Sequence, residues 1–191
     1  MTEYELITQI LSGNLSLYKQ IVETYQAQVF RICIGFVHQK EDADDLTQEV
    51  FIQVYQSLET FKGESSFSTW LYRITINRAL NHVRDHQKRS LFHRLESWVG
   101  FDKSSSGLEV QTFEENPEQQ LIKHEERNLI AKALTQLPEK QRIAIVLSKY
   151  EDLSQREIAE ILHISEGAVE SLLQRAKQSL RKQLSALWHS S

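Results

Sequence analysis

Apolar residues recur at steps of three and four along most of the chain, which is the spacing of amphipathic helices. One predicted helix runs from about Asp42 to Thr60 and a second from about Ser68 to Lys88. Six Gly and two Pro in 191 residues are few for a turn-rich β protein, so we predict an all-α fold. The stripes expected to face the core are Leu46, Val50, Val54 and Leu58 with Thr47 and Phe51 beside them, and Tyr72, Ile76, Leu80 and Val83.

The helical periodicity breaks between Leu91 and about Glu125, a segment with a Ser-Ser-Ser-Gly run and a Pro. This break predicts two small helical domains, residues 1–90 and 126–191, joined by a flexible linker at 91–125. A short helix docking on one domain and a partly disordered tether are equal alternatives for the linker. The apolar residues that suggest the helix recur at three-residue steps, at Phe92, Leu95, Trp98 and Phe101.

Charge is spread unevenly, so the net charge of −4 does not by itself exclude a nucleic-acid partner. Residues 1–90 hold nine basic and eleven acidic side chains, residues 91–125 three and seven, and residues 126–191 ten and eight. The excess of acid therefore lies mainly in the middle segment.

No stretch approaches the roughly 18 consecutive apolar residues of a membrane span, and the first residues lack a basic region followed by an apolar one. We therefore expect a cytoplasmic protein without direct membrane insertion. Its one cysteine, Cys33, cannot form an internal disulfide or a cysteine cluster for zinc. Between Ile32 and Ile34, it is predicted to be a small buried hydrophobe.

The face of the first helix opposite its apolar stripe is polar, with an acidic start and one isolated isoleucine. A solvated face, with acids favoured at the helix N-terminus, is one interpretation. The mixture of amides, acids and one apolar side chain favours another, a surface that docks on a basic protein surface. Its residues are Asp45, Gln48, Glu49, Ile52 and Gln56.

Cations and amides share one face of the second helix, next to its apolar stripe. At 100° per residue, its five members lie within about 80° of one another. Asn is a poor helix former, so two of them spaced by four favour a function over a merely solvated face. Amides read base edges while Arg and Lys hold phosphates, which predicts contact with nucleic acid. The five are Arg73, Asn77, Asn81, Arg84 and Lys88.

The segment just before this face carries the aromatic side chains Phe61, Phe67 and Trp70 together with three serines and a glycine. Each ring taken alone is better explained as an anchor to the core. The loop as a whole, beside a basic helix, favours a site that accepts an unstacked base.

A helix-turn-helix pattern marks the C-terminal part of the chain. Ser154 and Glu157 form a capping-box signature, a turn follows at residues 163–165, and Ser165 is placed to cap a second helix. The second helix would be the DNA reader. Its inward residues are Val169, Leu172, Leu173, Ala176 and Leu180. Its outward or flanking residues are Glu166, Glu170, Ser171, Gln174, Arg175, Lys177, Gln178, Arg181 and Lys182.

In this order and spacing, these segments resemble bacterial RNA polymerase sigma factors of the sigma-70 family, extracytoplasmic-function group. The resemblance covers nearly the whole chain. Region 2 of that family resembles Asp44 to Phe51, Phe61 to Gly63 and Phe67 to Ile74, with Asn77 and Asn81. Region 4 resembles Leu137 to Arg142 and Leu153 to Lys182.

The resemblance implies a non-enzymatic factor, without cofactor or metal, that binds core RNA polymerase and directs promoter-specific transcription initiation. Region 2 would bind the clamp helices of the largest catalytic subunit, and would recognise and melt the −10 element. Region 4 would read the −35 element of duplex promoter DNA. An anti-sigma factor, membrane-bound or not, stays open as a further partner. The implied residues are Asp45, Gln48, Glu49 and Ile52 for core polymerase; Phe61, Lys62, Phe67, Trp70, Arg73, Asn77, Asn81, Arg84 and Lys88 for the −10 element; and Ser165, Glu166, Gly167, Glu170, Ser171, Gln174, Arg175, Lys177, Gln178 and Arg181 for the −35 element.

One departure from the family concerns the reading helix, where many members carry Arg-Ser-Arg and this chain has Glu170-Ser171-Leu172. Glu170 accepts a hydrogen bond from a cytosine amino group but repels phosphate, so a −35 consensus does not transfer. Phosphate contacts are expected to shift to Arg175, Lys177 and Arg181, and Leu172 is expected to belong to the core.

Two other classes of protein compete with this interpretation. A helix-turn-helix regulator would need a sensing domain, but the N-terminal part lacks the alternating strands of a receiver. A helical enzyme would need a site, and the seven His show no nearby Cys or paired-carboxylate ligand spacing. His82 and His86 share a helix, yet no further ligands accompany them.

Overall fold

The computed structural model describes the backbone of residues 3–98 and 117–188 and the side chains of residues 4–89 and 125–186. Within these ranges the chain forms α-helices and one 3₁₀ turn, Leu58–Thr60, and no strand, which confirms the predicted all-α fold. The helices are α1 (Glu3–Leu11), α2 (Leu15–Val37), α3 (Lys40–Ser57), α4 (Phe67–Trp98), α5 (Pro117–Thr135), α6 (Glu139–Tyr150), α7 (Gln155–Leu162) and α8 (Glu166–Trp188).

Helices α1 to α4, called here the N-terminal half, share one apolar layer. Both predicted stripes are buried in it, with Thr47 half-buried at the edge of the first. Helix α2 adds Ile32, Phe36 and Cys33, so the prediction of a buried Cys33 is confirmed, and burial raises the pKa of its thiol to about 12. Because each buried Leu, Val or Phe stabilises by about 1.5–3 kcal/mol, packing of this layer holds the helices in place.

Helices α5 to α8, called here the C-terminal half, contain the predicted helix-turn-helix. The Ser154 hydroxyl accepts from the backbone N–H of Glu157, and the Glu157 carboxylate accepts from the backbone N–H of Ser154, which confirms the capping box of α7. Helix α7 ends at Leu162, and the capping residue His163 has the left-handed conformation, with φ of 53°. The Ser165 hydroxyl then accepts from the N–H of Ala168 at 3.2 Å and begins α8.

The predicted linker overlaps two of these helices. Helix α4 continues through Phe92, Leu95 and Trp98, and α5 begins at Pro117. The first part of the proposed short helix is thus a continuation of α4. Phe101 and the rest of the proposed tether lie outside the described residues.

The two halves pack directly against each other, which sequence reasoning does not anticipate. Helix α2 contacts α6, and α4 contacts α7, so the buried side chains of both halves form one continuous cluster. Gly35 of α2 lies at one of these contacts. A Cβ built there would lie 2.8 Å from a Val146 methyl and 3.3 Å from the Tyr150 ring.

Candidate polymerase and nucleic-acid interfaces

The predicted docking face of α3 is exposed. Asp45, Gln48 and Glu49 are all exposed, and 59% of Ile52 is accessible. Tyr55, one turn further along, adds a second exposed apolar group. Exposed Ile and Tyr beside amides and acids are suited to a protein contact.

Glu49 also has a partner within the chain. Its carboxylate accepts a hydrogen bond from Arg78 of α4 at 2.8 Å. Both side chains are more than a third exposed, so this ion pair is weak and a partner surface competes with it readily.

The predicted basic face of α4 is present, with one turn between its two amides. Asn77, Asn81, Arg84 and Lys88 are exposed and Arg73 is half-buried. The face lies beside the buried stripe of the same helix, so the core fixes its direction. It presents hydrogen-bonding amides between positive charges, which suits a base edge and its phosphates.

Two cations of this face are bound by the C-terminal half. Arg84 donates two hydrogen bonds to the Glu139 carboxylate, at 2.7 and 2.6 Å. This contact holds the pKa of Glu139 below its usual range. Arg73 donates to the backbone carbonyls of Ile161 at 3.1 Å and Glu160 at 2.7 Å, at the C-terminal end of α7. Neither contact follows from helical periodicity.

The aromatic side chains of the loop are more buried than the hypothesis of a site for an unstacked base predicts. Phe61 and Phe67 are 8% and 2% exposed, and Trp70 is half-buried. The three ring centroids lie 5.5–5.8 Å apart in edge or tilted contacts, which is an internal aromatic cluster. Phe61 and Phe67 therefore anchor the loop to the core, which is the interpretation that each ring alone favours. Lys62 is exposed, and the partly open Trp70 ring lies at the start of α4 near Arg73 in sequence.

The reading helix α8 presents its predicted surface to solvent. The apolar side is buried or half-buried, and Leu172 packs against the core as predicted. The Glu170 carboxylate lies 3.5 Å from the Gln174 amide, and Ser171 donates to the Gly167 carbonyl at 3.0 Å. The exposed residues are Ser165, Glu166, Gly167, Glu170, Ser171, Gln174, Arg175, Lys177, Gln178 and Arg181.

Between the halves lies a set of charged residues that sequence reasoning missed. Arg31 of α2 donates to the Glu151 carboxylate at 2.7 and 3.0 Å and to the Tyr150 carbonyl at 3.3 Å. Burial raises the pKa of Glu151, and the hydrogen bonds from Arg31 offset this only in part. The Glu151 side chain is 3% exposed, so the pair is well shielded on one side. Arg31 lies 119 positions from Tyr150 and 120 from Glu151, so no local sequence pattern could have revealed these contacts.

Arg142 of α6 is the most unusual member of this set. It is 3% exposed, its guanidinium carbon lies 5.6 Å from the centroid of the Phe36 ring, and its Nε and Nη1 atoms have no hydrogen-bond partner. Burial lowers its pKa. The nearby His38 has its pKa lowered to about 4 by burial and by the charge of Arg142.

Over residues 4–89 and 125–186, no group of three or more His, Cys, Asp or Glu could hold a metal ion. No helix in the described part of the chain is long and apolar enough to cross a membrane.

Two family models match the chain, Sigma-70 region 2 over residues 21–89 and Sigma-70, region 4 over residues 127–180. The RNA polymerase sigma-H factor of Pseudomonas aeruginosa is 31% identical over 193 residues, covering 97% of this chain and 95% of the relative. The chain belongs to the sigma-70 family. A second relative, the ECF RNA polymerase sigma factor SigW of Bacillus subtilis, is 31% identical over 178 residues, covering 93% and 94% of the two chains. The membership extends to the extracytoplasmic-function (ECF) group.

Solved structures agree with this membership. CnrH in complex with the cytosolic domain of CnrY has a TM-score of 0.61 and 26% identity, over 97% of this chain and 96% of that one. The sigma factor RpoE in complex with the anti-sigma factor NepR from Bartonella quintana has a TM-score of 0.57 and 21% identity, over 88% and 96%, and shows the shared fold. As an ECF sigma factor, the chain binds core RNA polymerase and directs promoter-specific transcription initiation. Region 2 acts at the −10 element and region 4 at the −35 element.

Proposed function

We propose that three exposed helix faces divide the work of this sigma factor. The face of α3 docks on core polymerase, the basic face of α4 holds the −10 element, and α8 reads the −35 element. The functional domains are residues 1–90 and 126–191, with 91–125 linking them. The observation that carries the proposal is the pair Asn77 and Asn81, exposed one turn apart between Arg73 and Arg84.

The α4 face acts on DNA that is already single-stranded. Asn77 and Asn81 bond the pairing edges of bases, which are free only in unpaired DNA, while Arg73, Arg84 and Lys88 hold the sugar-phosphate chain. Flipping a base costs a few kcal/mol of unstacking, which a pocket offsets by contacts unavailable to the paired base. Because Phe61 and Phe67 are buried, their part is to hold the loop, and direct contacts are made by Lys62 and the half-buried Trp70.

The α3 face binds the clamp helices of the largest catalytic subunit. Ile52 supplies the apolar centre of this contact, and Asp45, Gln48 and Glu49 supply its polar part. The ion pair between Glu49 and Arg78 opens on docking, which costs little because both side chains are well exposed.

The α8 face reads base edges near its N-terminal end, as recognition helices do. Glu170 accepts from a cytosine amino group in the major groove, and Gln174 beside it contacts the neighbouring base. Arg175, Lys177 and Arg181, further along α8, hold phosphates.

We propose the following cellular role for this protein. The protein catalyses nothing itself and works in the cytoplasm, where core polymerase and promoters lie. An anti-sigma factor is a further partner, membrane-bound or not. The complex of RpoE with NepR, in which the same fold is bound to an anti-sigma factor, supports this.

Asn77→Ala tests the melting role. The variant should keep core binding and closed-complex formation, because Ala favours the helix and Asn77 is exposed. It should lose permanganate-reactive thymines and transcripts on duplex promoters, with partial rescue on templates mismatched in advance at the −10 element.

The matched control is Gln87→Ala, an exposed amide of α4 about 80° round the helix from Asn77. It should transcribe like the unmodified protein. Equal failure of Asn77→Ala on duplex and pre-opened templates would show that Asn77 has a structural role and that the melting assignment is wrong.

A further inference from the structure

An exposed aromatic ring from outside the aromatic loop lies against that loop. Stacking on an unpaired base requires an accessible ring face. Phe61 and Phe67 are buried and contact each other, and the half-buried Trp70 packs on both of them. Tyr4 of α1, in contrast, is 60% exposed. A ring with a free face is therefore present at this loop, but it belongs to another helix.

Packing of α1 on the apolar layer fixes the position of Tyr4. Ile7 and Ile10 of the same helix are buried in this layer, and α1 contacts the 3₁₀ turn Leu58–Thr60, which leads into the loop. Tyr4 is three residues before Ile7, so the two side chains are neighbours on one face of α1. Its large exposed fraction places the ring at the edge of the layer and not within it.

Gly63 leaves space beside the Tyr4 ring. Its φ is 71°, in the left-handed region that favours glycine. A Cβ built there would lie 3.8 Å from Cδ2 of Tyr4. Apart from the chain neighbours of Gly63, no other heavy atom of the described residues would come within 4 Å of that Cβ. The loop backbone and the ring thus border a space that no side chain fills.

We propose that Tyr4 is a further DNA-binding residue, whose ring stacks on an unpaired base of the −10 element in the space beside Gly63. The inference rests on the proposed −10 role of the loop and of α4. Lys62, exposed and next to Gly63 in sequence, provides a cation for the phosphate of the same strand. Tyr4 supplies the ring face that the buried Phe61 and Phe67 cannot supply. Because every base has a π face, the contact increases affinity for opened DNA whichever base is present.

Tyr4→Leu and Tyr4→Phe separate stacking from packing, because Leu keeps an apolar side chain and Phe keeps the ring. The assay is fluorescence anisotropy of a labelled promoter template, mismatched in advance at the −10 element, titrated with core polymerase carrying each variant. Core polymerase alone gives the background. Tyr4→Leu should weaken binding by about fivefold or more, which is the smallest effect expected for loss of one base–aromatic stack. Tyr4→Phe should bind within about twofold of the unmodified protein, since its ring still stacks.

The matched control is Leu11→Ala, which changes an exposed apolar side chain at the last residue of α1. It should leave binding of the opened template unchanged. Circular dichroism and urea unfolding should show that all three variants fold like the unmodified protein, because Tyr4 and Leu11 are both exposed. Unchanged binding by Tyr4→Leu, or an equal loss in Tyr4→Phe or in Leu11→Ala, would overturn the stacking contact.

Gly63→Asn tests the space itself. Asn tolerates the left-handed conformation and places a side chain where the base is expected. This variant should weaken binding of the opened template, and combining it with Tyr4→Leu should weaken binding no further, because both changes remove the same contact. Unchanged binding by Gly63→Asn, or losses that add in full, would show that the base does not lie between this residue and the ring.

Photocrosslinking tests proximity without depending on affinity. With p-benzoylphenylalanine in place of Tyr4, the protein should crosslink to the unpaired DNA of the same template and not to a fully paired duplex. In place of Leu11 the probe should give no crosslink, and in place of Lys62 it should crosslink if the loop contacts the −10 element. A crosslink from the Lys62 position without one from the Tyr4 position overturns the inference and leaves the proposed −10 role standing. If neither position crosslinks, the −10 role of the loop falls together with the inference.

Discussion

Replacing Gln48 by Ala and Glu49 by Lys should separate docking from folding. Both side chains are exposed on α3, and Glu49 has one ion pair, at 2.8 Å to Arg78. Exposed pairs contribute about 0–1 kcal/mol, and Gln→Ala regains a few tenths in a helix, so the free energy of unfolding should fall by less than about 1 kcal/mol.

Core polymerase binding should change far more. Removing one partner of a desolvated polar contact in an interface and adding a like charge costs about 2 kcal/mol or more, which is a loss of affinity of about 30-fold or more. The assay is titration of labelled protein with core polymerase, with circular dichroism and urea unfolding to monitor the fold.

The matched control is Gln20→Ala with Glu23→Lys on α2. Glu23 is likewise exposed and paired with a cation, Lys19 at 3.6 Å, so the chemical change is the same at a site outside the proposed interface. Affinity within threefold of the unmodified protein, with unchanged unfolding, would remove the docking assignment from α3.

Three further changes probe the rest of the molecule. Arg181→Ala should weaken duplex binding by the full chain at all sequences and reduce its dependence on salt, whereas Gln174→Ala should change base preference; an unchanged salt slope would put the phosphate face elsewhere. Ser154→Ala should lower the stability of the C-terminal half by about 1 kcal/mol in urea unfolding, since the N–H of Glu157 loses its acceptor, and an unaltered midpoint would show that the cap contributes nothing. The pKa of His38 is about 4 in the folded chain, against 6.5 for the free side chain. The free energy of unfolding should therefore fall as the pH falls from about 6.5 towards 4, because the unfolded chain takes up a proton at His38 before the folded chain does. His38→Asn, which tolerates the left-handed conformation, should flatten that loss, and an equally steep loss in the variant would assign it to another group.

Local elements were predictable because their causes are local. The stripes of α3 and α4 follow from helical periodicity, and the start of α7 follows from a capping box within four residues. The outward direction of Asn77 and Gln174 is fixed by the same periodicity. Sequence therefore located the three exposed faces before any packing was known.

The contacts between the halves were not predictable from such patterns. Arg84 was correctly placed on a basic face, but its carboxylate partner Glu139 is 55 positions away. Gly35 lies against Val146 of α6, and no local sequence pattern brings these two residues together. Phe61 and Phe67 were ambiguous because a ring that anchors a loop and a ring that stacks on a base have the same local sequence.

The central claim, that this chain gives core polymerase promoter specificity, is tested most directly by run-off transcription with purified core polymerase and a library of duplex promoters. Specific transcripts are expected when this protein is the sole added factor, and they should be lost with Asn77→Ala on duplex templates. No specific transcript without a second sigma factor, together with normal binding of duplex DNA, would contradict it and favour a helix-turn-helix regulator.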